Sequence, residues 1–202
     1  RVAALMGALQ GRLPHLKIIR LPKNQGISIA QNIAVDAASG EYVAFLDCDD
    51  ELAPGALSVV EEQIQLHPDV DYFFSDRQDI DECGSAVRVA RYGGYDSIIF
   101  RSHDSIRDDL LDGMVASHLK VVRRSAYLEV GGCDPKLSGV QDWGLALRLA
   151  EGRNFRYIKE VLYRHRVHRK SVTRGDLVAQ FRKTNILRRH YSERWLAFDN
   201  KQ

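Results

Sequence analysis

The sequence contains no apolar run that approaches the ~18 residues of a membrane-spanning helix. Its first ten residues, RVAALMGALQ, lack both the continuous apolar core and the cleavage site of a secretory signal. The sequence therefore predicts neither a membrane span nor an export signal. We expect a cytoplasmic protein.

Cysteine is scarce, with only Cys48, Cys83 and Cys133 in the chain. An odd number of widely spaced cysteines fits neither a disulfide framework nor a zinc site. We expect three reduced thiols.

A large excess of one charge sign is also missing, because the net charge is only +2. The charge is unevenly placed: residues 151–202 hold 14 Lys and Arg against 5 Asp and Glu, and residues 1–150 hold 15 against 22. A basic segment suits phosphates, nucleic acid or an anionic membrane surface. A solvated helix face is the alternative for the stretch FRKTNILRRHYSER.

The chain is long enough for one sizeable core, since it has 202 residues of which 45% are hydrophobic. We expect a single domain over residues 1–202. Hydrophobic spacing and turn residues in the first half predict helices at 1–11, 27–38 and after Pro54, and strands at 15–21, 41–47 and 70–76. This alternation favours an α/β fold with a mainly parallel sheet covered on both faces. Because such a sheet rarely begins with a crossover helix, we expect that a first strand-helix-strand unit is missing here.

The second half has a weaker pattern. It predicts a turn and an edge strand at 79–92, a polar substrate-side loop at 93–117, a strand and short helix at 118–132, a helix at 142–152, a strand at 155–168 and a helix at 175–191. Residues 175–202 are interpreted as a C-terminal helical extension.

Three carboxylates follow the predicted strand in the stretch EYVAFLDCDD, namely Asp47, Asp49 and Asp50. Ligands of parallel α/β sheets gather at the carboxyl ends of the strands. An Asp-x-Asp pair there can hold Mg²⁺ or Mn²⁺, which prefer oxygen ligands and take others from a diphosphate. The alternative is a polar turn before Pro54.

Three further stretches carry chemically useful residues. In GCDPKLSGVQDWGLALRL, Asp142 lies at the start of a helix, where a carboxylate is either an N-cap or a general base. YRHRVHRKSVT offers cations for phosphates and an imidazole for a metal, or else forms a charged surface strand. In LPKNQGISIAQN, Asn24 and Gly26 stand at a helix N-terminus, where backbone N–H groups favour anions.

Five stretches, taken together and in order, resemble family 2 glycosyltransferases of the GT-A fold. They are NQGISIAQN, FLDCDD with LAPGAL, PDVDYFFSDRQDIDECG, GCDPKLSGVQDWGLALRLAEG and YRHRVHRKSVT. The likeness is greatest to bacterial O-antigen and other cell-surface polysaccharide transferases, and it covers residues 16–173. It implies an inverting, metal-dependent transfer of a sugar from a nucleotide-sugar donor to a saccharide or lipid-linked acceptor.

The resemblance also implies roles for single residues. Asp142 matches the catalytic base. Asp49, Asp47 and His168 match metal ligands, with Mn²⁺ or Mg²⁺ as the ion. Donor or diphosphate contacts fall on Asn24, Asp47, Arg164 and Ser171, and acceptor or sugar contacts on Asp76, Gln141 and Trp143. Gln31 departs from the family, which commonly has Arg there.

The expected partners follow from this function. They are the nucleotide sugar and the acceptor, with peripheral association at the anionic inner membrane face and no nucleic acid, while the oligomeric state is left open. A phosphatase of the haloacid dehalogenase class also has Asp-x-Asp after an apolar strand, but it needs Thr or Val where Glu51 stands. A non-catalytic GT-A-like domain that binds a partner or a polysaccharide is the other alternative.

Overall fold

The computed structural model describes residues 2–91, 103–167 and 177–199. Seven α-helices lie in these ranges: Val2–Arg12 (α1), Ile27–Ala37 (α2), Ala56–Leu66 (α3), His103–Asp112 (α4), Arg124–Glu129 (α5), Gln141–Leu149 (α6) and Leu177–Asp199 (α7). Six strands lie there as well: Tyr42–Ala44 (β1), Glu51–Leu52 (β2), Tyr72–Ile80 (β3), Ala86–Ala90 (β4), Val121–Arg123 (β5) and Phe155–Arg166 (β6). A short 3₁₀ turn, Pro135–Leu137, precedes α6.

The six strands form one sheet in the order β1-β5-β3-β6-β2, with β4 paired to β3. Its centre is the parallel pair of β3 and β6, which runs from Tyr72 opposite Phe155 to Ile80 opposite Arg166 and shifts register on both sides of Asp76. The other four pairings between these strands are antiparallel. The α/β architecture is as predicted, but the expectation of a mainly parallel sheet is corrected to a mixed sheet. Sequence periodicity does not report strand direction, because both kinds of ladder use the same side-chain alternation.

Adjacent residues of β3 face opposite sides of the sheet and so belong to two separate cores. Tyr72 and Phe74 pack with the buried side chains of α4, α5, α6 and α7. Phe73 packs on the other side, against Ala56 and Val60 of α3. The prediction that helices cover both faces is confirmed.

Most predicted elements are present with shifted ends. The helices expected at 1–11, 27–38 and 142–152 correspond to α1, α2 and α6, and α7 extends further than the predicted helix at 175–191. The turn and edge strand expected at 79–92 form the end of β3 and β4.

Two predicted elements are wrong. Residues 15–21 form no strand, because no strand in the described ranges lies beside them to complete a ladder. The loop expected at 93–117 contains α4, whose Ile106 and Leu110 are one helical turn apart and buried in the core. The polar side chains around these two residues concealed the helical spacing.

Candidate functional site

The segment after β1 carries the Asp-Cys-Asp-Asp run and is tied to β6. The Asp47 backbone N–H donates to Tyr163 Oη at 3.2 Å, and the Tyr163 hydroxyl donates to Asp50 Oδ2 at 2.6 Å. The Arg166 N–H donates to Asp50 Oδ1 at 2.7 Å, and Arg166 Nε donates to the Asp49 carbonyl at 2.8 Å. Asp50 therefore faces the sheet, whereas Asp47, Cys48 and Asp49 are exposed.

Asp47 lies among several like charges. Partial desolvation of its carboxylate by the surrounding chain raises its pKa even though the residue is exposed as a whole, and the carboxylates of Asp50, Asp142 and Asp49 raise it further, while the Lys120 charge opposes them. A carboxylate surrounded by others is stabilised by a cation, which lowers their mutual repulsion. The electrostatics thus favour a bound cation at this segment.

Asp142 lies in the first turn of α6 and pairs with a lysine from the sheet. Lys120 Nζ is 2.9 Å from Asp142 Oδ2, and the Lys120 side chain is largely buried. The N-cap residue of α6 is Val140, and no side chain caps this helix end. Asp142 is therefore not the N-cap, which removes the capping alternative raised by its sequence position.

The loop that leads into α6 is fixed to α2. Asn32 Nδ2 donates to the Cys133 carbonyl at 2.9 Å, and Asn32 Oδ1 accepts from the Cys133 N–H at 2.8 Å and from the Tyr127 hydroxyl at 2.6 Å. A Cβ on Gly132 would lie 2.5 Å from Asn32 Oδ1, and Gly132 has a φ of +66°, so glycine is required there. These contacts set where the chain enters α6, and hence where Asp142 lies.

A pocket of about 200 Å³ opens beside Asp142. The loop after α4, the loop before α6, the start of α6 and the inner side of α7 enclose it. Its lining residues are Gly113, Met114, Gly139, Val140, Gln141, Asp142, Trp143 and Thr184. A carboxylate thus lies in the wall of a cavity, where it can contact a bound molecule.

The chain matches the family described as "Glycosyl transferase family 2" over residues 2–131. The match covers well over half of the 202 residues. The chain belongs to glycosyl transferase family 2.

Relatives within and around this family include polysaccharide-forming proteins. Chondroitin synthase of Pasteurella multocida is 26% identical over 164 residues, which is 81% of this chain and 16% of the relative. The O-antigen biosynthesis protein RfbC of Myxococcus xanthus is 26% identical over 166 residues, which is 82% of this chain and 12% of the relative. The chain thus spans less than a fifth of the length of these relatives.

Solved structures show the same fold. S. aureus TarS 1-349 in complex with UDP-GlcNAc aligns with a TM-score of 0.66 at 16% identity, over 91% of this chain and 52% of that chain. The GT-A-like fold predicted from the family resemblance is confirmed. No helix in the described residues has both the length and the apolar character needed to cross a membrane.

The donor-side residues named from the resemblance have the following positions. Asn24 is exposed and its Oδ1 accepts from the Gly26 N–H at 2.9 Å, which shapes the turn before α2. Arg164 Nη1 is 2.6 Å from Glu51 Oε2, and Arg164 Nη2 donates to the Gly84 carbonyl at 2.8 Å. His168 and Ser171 lie outside the described residues, so their predicted roles stay predictions.

The three residues named for acceptor or sugar contacts are all buried. Asp76 is 3% exposed and accepts from the Tyr157 hydroxyl at 2.5 Å. Gln141 Oε1 accepts from the Gly139 N–H at 2.7 Å, and the Trp143 indole donates to the Leu110 carbonyl at 2.7 Å. Gln141 and Trp143 line the pocket, whereas Asp76 is not among its lining residues. A sugar contact by Asp76 stays a prediction. Of the three acceptor-side predictions it has the least structural support, because Asp76 lies in the interior and outside the pocket lining.

The tertiary structure adds a histidine pair that the sequence did not single out. Ligand atoms of Asp50, His118 and His165 lie within 4.8 Å of one another, the one such group in the part of the chain that the structure describes. Burial lowers the pKa of His118 to about 2, and the charges of Arg77, Lys120 and His165 act in the same direction. His118 is thus neutral, which is the form that binds a metal.

A buried carboxylate supports the second histidine of this group. Asp79 Oδ1 is 3.0 Å from His165 Nδ1, and Asp79 also accepts from Arg77 Nε at 3.0 Å and from Arg88 Nε at 2.6 Å. A carboxylate on one ring nitrogen orients the other nitrogen toward a ligand. The stretch YRHRVHRKSVT, which contains His165, was the sequence signal for an imidazole ligand here, whereas no sequence pattern pointed to His118.

We expect Asp79→Asn to lower the free energy of unfolding at pH 7 by about 2–3 kcal/mol, since it removes the charge of a buried carboxylate that pairs with the half-buried Arg77 and the exposed Arg88. Burial opposes ionisation of Asp79, but the hydrogen bonds from Arg88 and His165 and the charge of Arg77 outweigh it and hold its pKa below the usual value. The ionised form therefore stabilises the fold above the ordinary carboxyl pKa, and this contribution disappears as the pH falls through the lowered value.

Urea unfolding at pH 7 and pH 3 measures this difference. The gap between wild type and Asp79→Asn should shrink at pH 3, and Glu82→Gln, which removes an exposed charge from the neighbouring turn, should have little effect at either pH. An equal gap at both pH values would show that Asp79 does not stabilise the fold through its charge.

Proposed function

We propose that this domain transfers a sugar from a nucleotide-sugar donor to a hydroxyl of a saccharide or lipid-linked acceptor, with inversion and with the help of a divalent metal. The proposed setting is the synthesis of a cell-surface polysaccharide. The observation that carries the proposal is the position of Lys120, which pairs with Asp142 at 2.9 Å and also interacts with Asp47. One cation thus joins the carboxylate expected at the acceptor to the carboxylate expected at the donor.

On the donor side, Asp47 and Asp49 would hold Mn²⁺ or Mg²⁺ together with His168. The carboxylates of Asp47 and Asp49, which belong to exposed residues, and the raised pKa of Asp47 fit a hard cation. The neutral His118, with His165 and Asp50, offers further ligands beside them. A metal held by these residues would supply the positive charge that stabilises a leaving diphosphate.

Asn24, Arg164 and Ser171 complete the proposed donor contacts. Asn24 lies just before the start of α2, where no side chain caps the backbone N–H groups, and Arg164 is at the end of β6 near the Asp segment. Arg164 and Arg166 both pair with Glu51, so β2 and β6 present their charges as a fixed unit. A cation held in this way needs little reorganisation when a phosphate binds.

On the acceptor side, Asp142 would take the proton of the attacking hydroxyl. The acceptor oxygen forms a bond to the anomeric carbon while the bond from that carbon to the phosphate oxygen breaks, and the proton passes to the Asp142 carboxylate. Attack from the face opposite the diphosphate inverts the anomeric configuration. Gln141 would hold the Gly139 loop in place, and the buried Trp143 would fix the first turn of α6.

Relatives and neighbours support the substrate classes. One relative is named chondroitin synthase and another O-antigen biosynthesis protein, and TarS structures contain UDP or UDP-GlcNAc. These names concern proteins that are only 16–26% identical to this chain. We therefore extend to this domain the class of donor and the class of product, without a particular sugar or linkage.

We expect Asp142→Asn to lower the free energy of unfolding through loss of the Lys120 ion pair and, at a temperature where the variant stays folded and binds nucleotide like the wild type, to lower kcat for transfer by about 10²-fold or more, because the amide keeps the size of the side chain but cannot accept the proton. Asp134→Asn is the matched control, since Asp134 is an acidic residue of the same loop whose side chain accepts from the Lys136 N–H at 2.8 Å. Product formation from labelled nucleotide sugars gives the rates. Transfer by Asp142→Asn at the wild-type rate would contradict its role as base.

We expect Asp49→Ala to abolish the gain in affinity for uridine diphosphate that Mn²⁺ gives to the wild type. The variant removes one of the exposed carboxylates that would join the ion to the diphosphate. Asp36→Ala, an exposed change on α2, should leave the coupling intact. Calorimetric titrations with and without Mn²⁺ test this, and an unchanged coupling in Asp49→Ala would exclude Asp49 as a ligand.

We also propose peripheral association with an anionic membrane at the cytoplasmic face, through exposed apolar and basic residues of α7. Phe181 and Ile186 are 67% and 69% exposed there, next to the exposed Arg182. Exposed apolar side chains flanked by basic ones are typical of helices that lie on lipid headgroups.

The double variant Phe181→Glu with Ile186→Glu should lose binding to vesicles that contain phosphatidylglycerol. Leu57→Glu with Leu66→Glu is the control, because these α3 side chains are 58% and 60% exposed and receive the same charges. Co-sedimentation measures the bound fraction. Equal binding by both double variants, or no preference for anionic over zwitterionic vesicles, would contradict the proposal.

A further inference from the structure

Helix α7 is attached to both loops that border the pocket beside Asp142. Lys183 Nζ donates to the Ser138 carbonyl at 2.7 Å, in the loop before α6. Arg188 Nε donates to the Leu111 carbonyl at 2.7 Å, at the end of α4. The helix therefore spans the pocket and fixes the separation of its two rims.

The inner side of α7 belongs to the hydrophobic core. Leu187, Tyr191 and Trp195 are buried, and the Arg188 guanidinium lies 5.9 Å from the centre of the Trp143 ring. Packing of this kind holds the helix in one position relative to α6. Thr184, one turn before Arg188, consequently has a defined place in the pocket wall.

The pocket is small. Its volume of about 200 Å³ is below the roughly 300–1,000 Å³ of sites that enclose drug-sized ligands. Gly113 and Gly139 in the lining leave the backbone accessible, and Met114 and Val140 offer apolar surface to the C–H face of a sugar ring. The dimensions fit one ring.

The charge of the lining restricts the ligand further. Among the described residues that line the pocket, Asp142 alone carries a charge, and Thr184 is the hydroxyl-bearing side chain on the α7 side. A carboxylated sugar would meet Asp142 without a cation among the described lining residues, since the nearby Lys120, Lys183 and Arg188 are already bound to Asp142, the Ser138 carbonyl and the Leu111 carbonyl. A neutral sugar, in contrast, can share hydrogen bonds with both groups.

We infer that Thr184 of α7 is a specificity-determining residue for the acceptor and that the pocket takes a single neutral sugar unit, with one hydroxyl toward Asp142 and another toward Thr184. The inference rests on the proposed function, which makes Asp142 the base. It adds α7 to the acceptor site and names the chemical class of the terminal acceptor unit.

Saturation-transfer NMR with methyl glycosides tests this on the whole chain without requiring turnover. The probes are the methyl glycosides of glucose, galactose, N-acetylglucosamine, N-acetylgalactosamine and glucuronic acid. Wild type should give signals with at least one neutral glycoside and weaker signals with the glucuronide. Thr184→Phe, which fills the pocket, should lower them at least tenfold.

Two further variants keep the result interpretable. Asn185→Phe places the same ring on the exposed side of α7 and should retain the wild-type signals. Thr184→Val keeps the volume but removes the hydroxyl, so the affinity should fall roughly 2- to 10-fold, as expected for one hydrogen bond. Wild-type signals in Thr184→Phe, equal losses in Asn185→Phe, or a preference for the glucuronide would each overturn the inference.

Hydrolysis of UDP-sugars, measured in parallel, separates this inference from the proposed function. Hydrolysis that persists in Thr184→Phe while sugar signals disappear supports both. Sugar signals that depend on Thr184 in a chain without any hydrolysis would contradict the proposed transfer but not the sugar pocket. Hydrolysis with sugar signals that ignore Thr184 would contradict the inference alone.

Discussion

The ion pair between Lys120 and Asp142 is the contact on which the candidate site depends. Lys120 immediately precedes β5, its carbonyl accepts from the Phe45 N–H at 3.0 Å, and its ammonium reaches Asp142 at 2.9 Å. One residue thus connects the extension of β1, the sheet and α6. A largely buried ammonium requires a partner, because an unpaired charge there would cost several kcal/mol. The same requirement that stabilises the fold therefore keeps the proposed base beside the proposed donor carboxylates.

The parallel pair of β3 and β6 supplies the other fixed side of the site. The end of β6 holds the Asp segment through Tyr163 and Arg166, and the end of β3 places the buried Asp79 against His165. These contacts lie beyond the register shift on both sides of Asp76, where the two strands remain paired. Paired strands can present polar side chains while the hydrogen bonds of the ladder still satisfy their backbone groups.

Helix α7 gives the domain two surfaces with different chemistry. Its inner side completes the core and the pocket wall, while Phe181 and Ile186 remain exposed. When a helix carries apolar residues outside the face that packs on the core, those residues are buried only if a second apolar surface or a lipid interface covers them. Acceptor recognition and attachment to a surface would then involve one element, which places the acceptor pocket close to that surface.

The sequence by itself determined the elements whose signals are local. The spacing of apolar residues in α2 and α6, the Asp-Cys-Asp run after an apolar strand, and the order of the family stretches were sufficient for the fold family and for proposing Asp47, Asp49 and Asp142 as site residues. Those signals are local because helix periodicity and motif order are written within a few residues. The tertiary structure decided the strand directions, the helix hidden in the polar stretch at 103–112, the burial of Asp76, and the meeting of Lys120, His118 and His165 with the Asp segment. Each of these depends on which distant segments pair in the sheet. The local spacing of residues along the chain does not show which side chains will meet across the sheet.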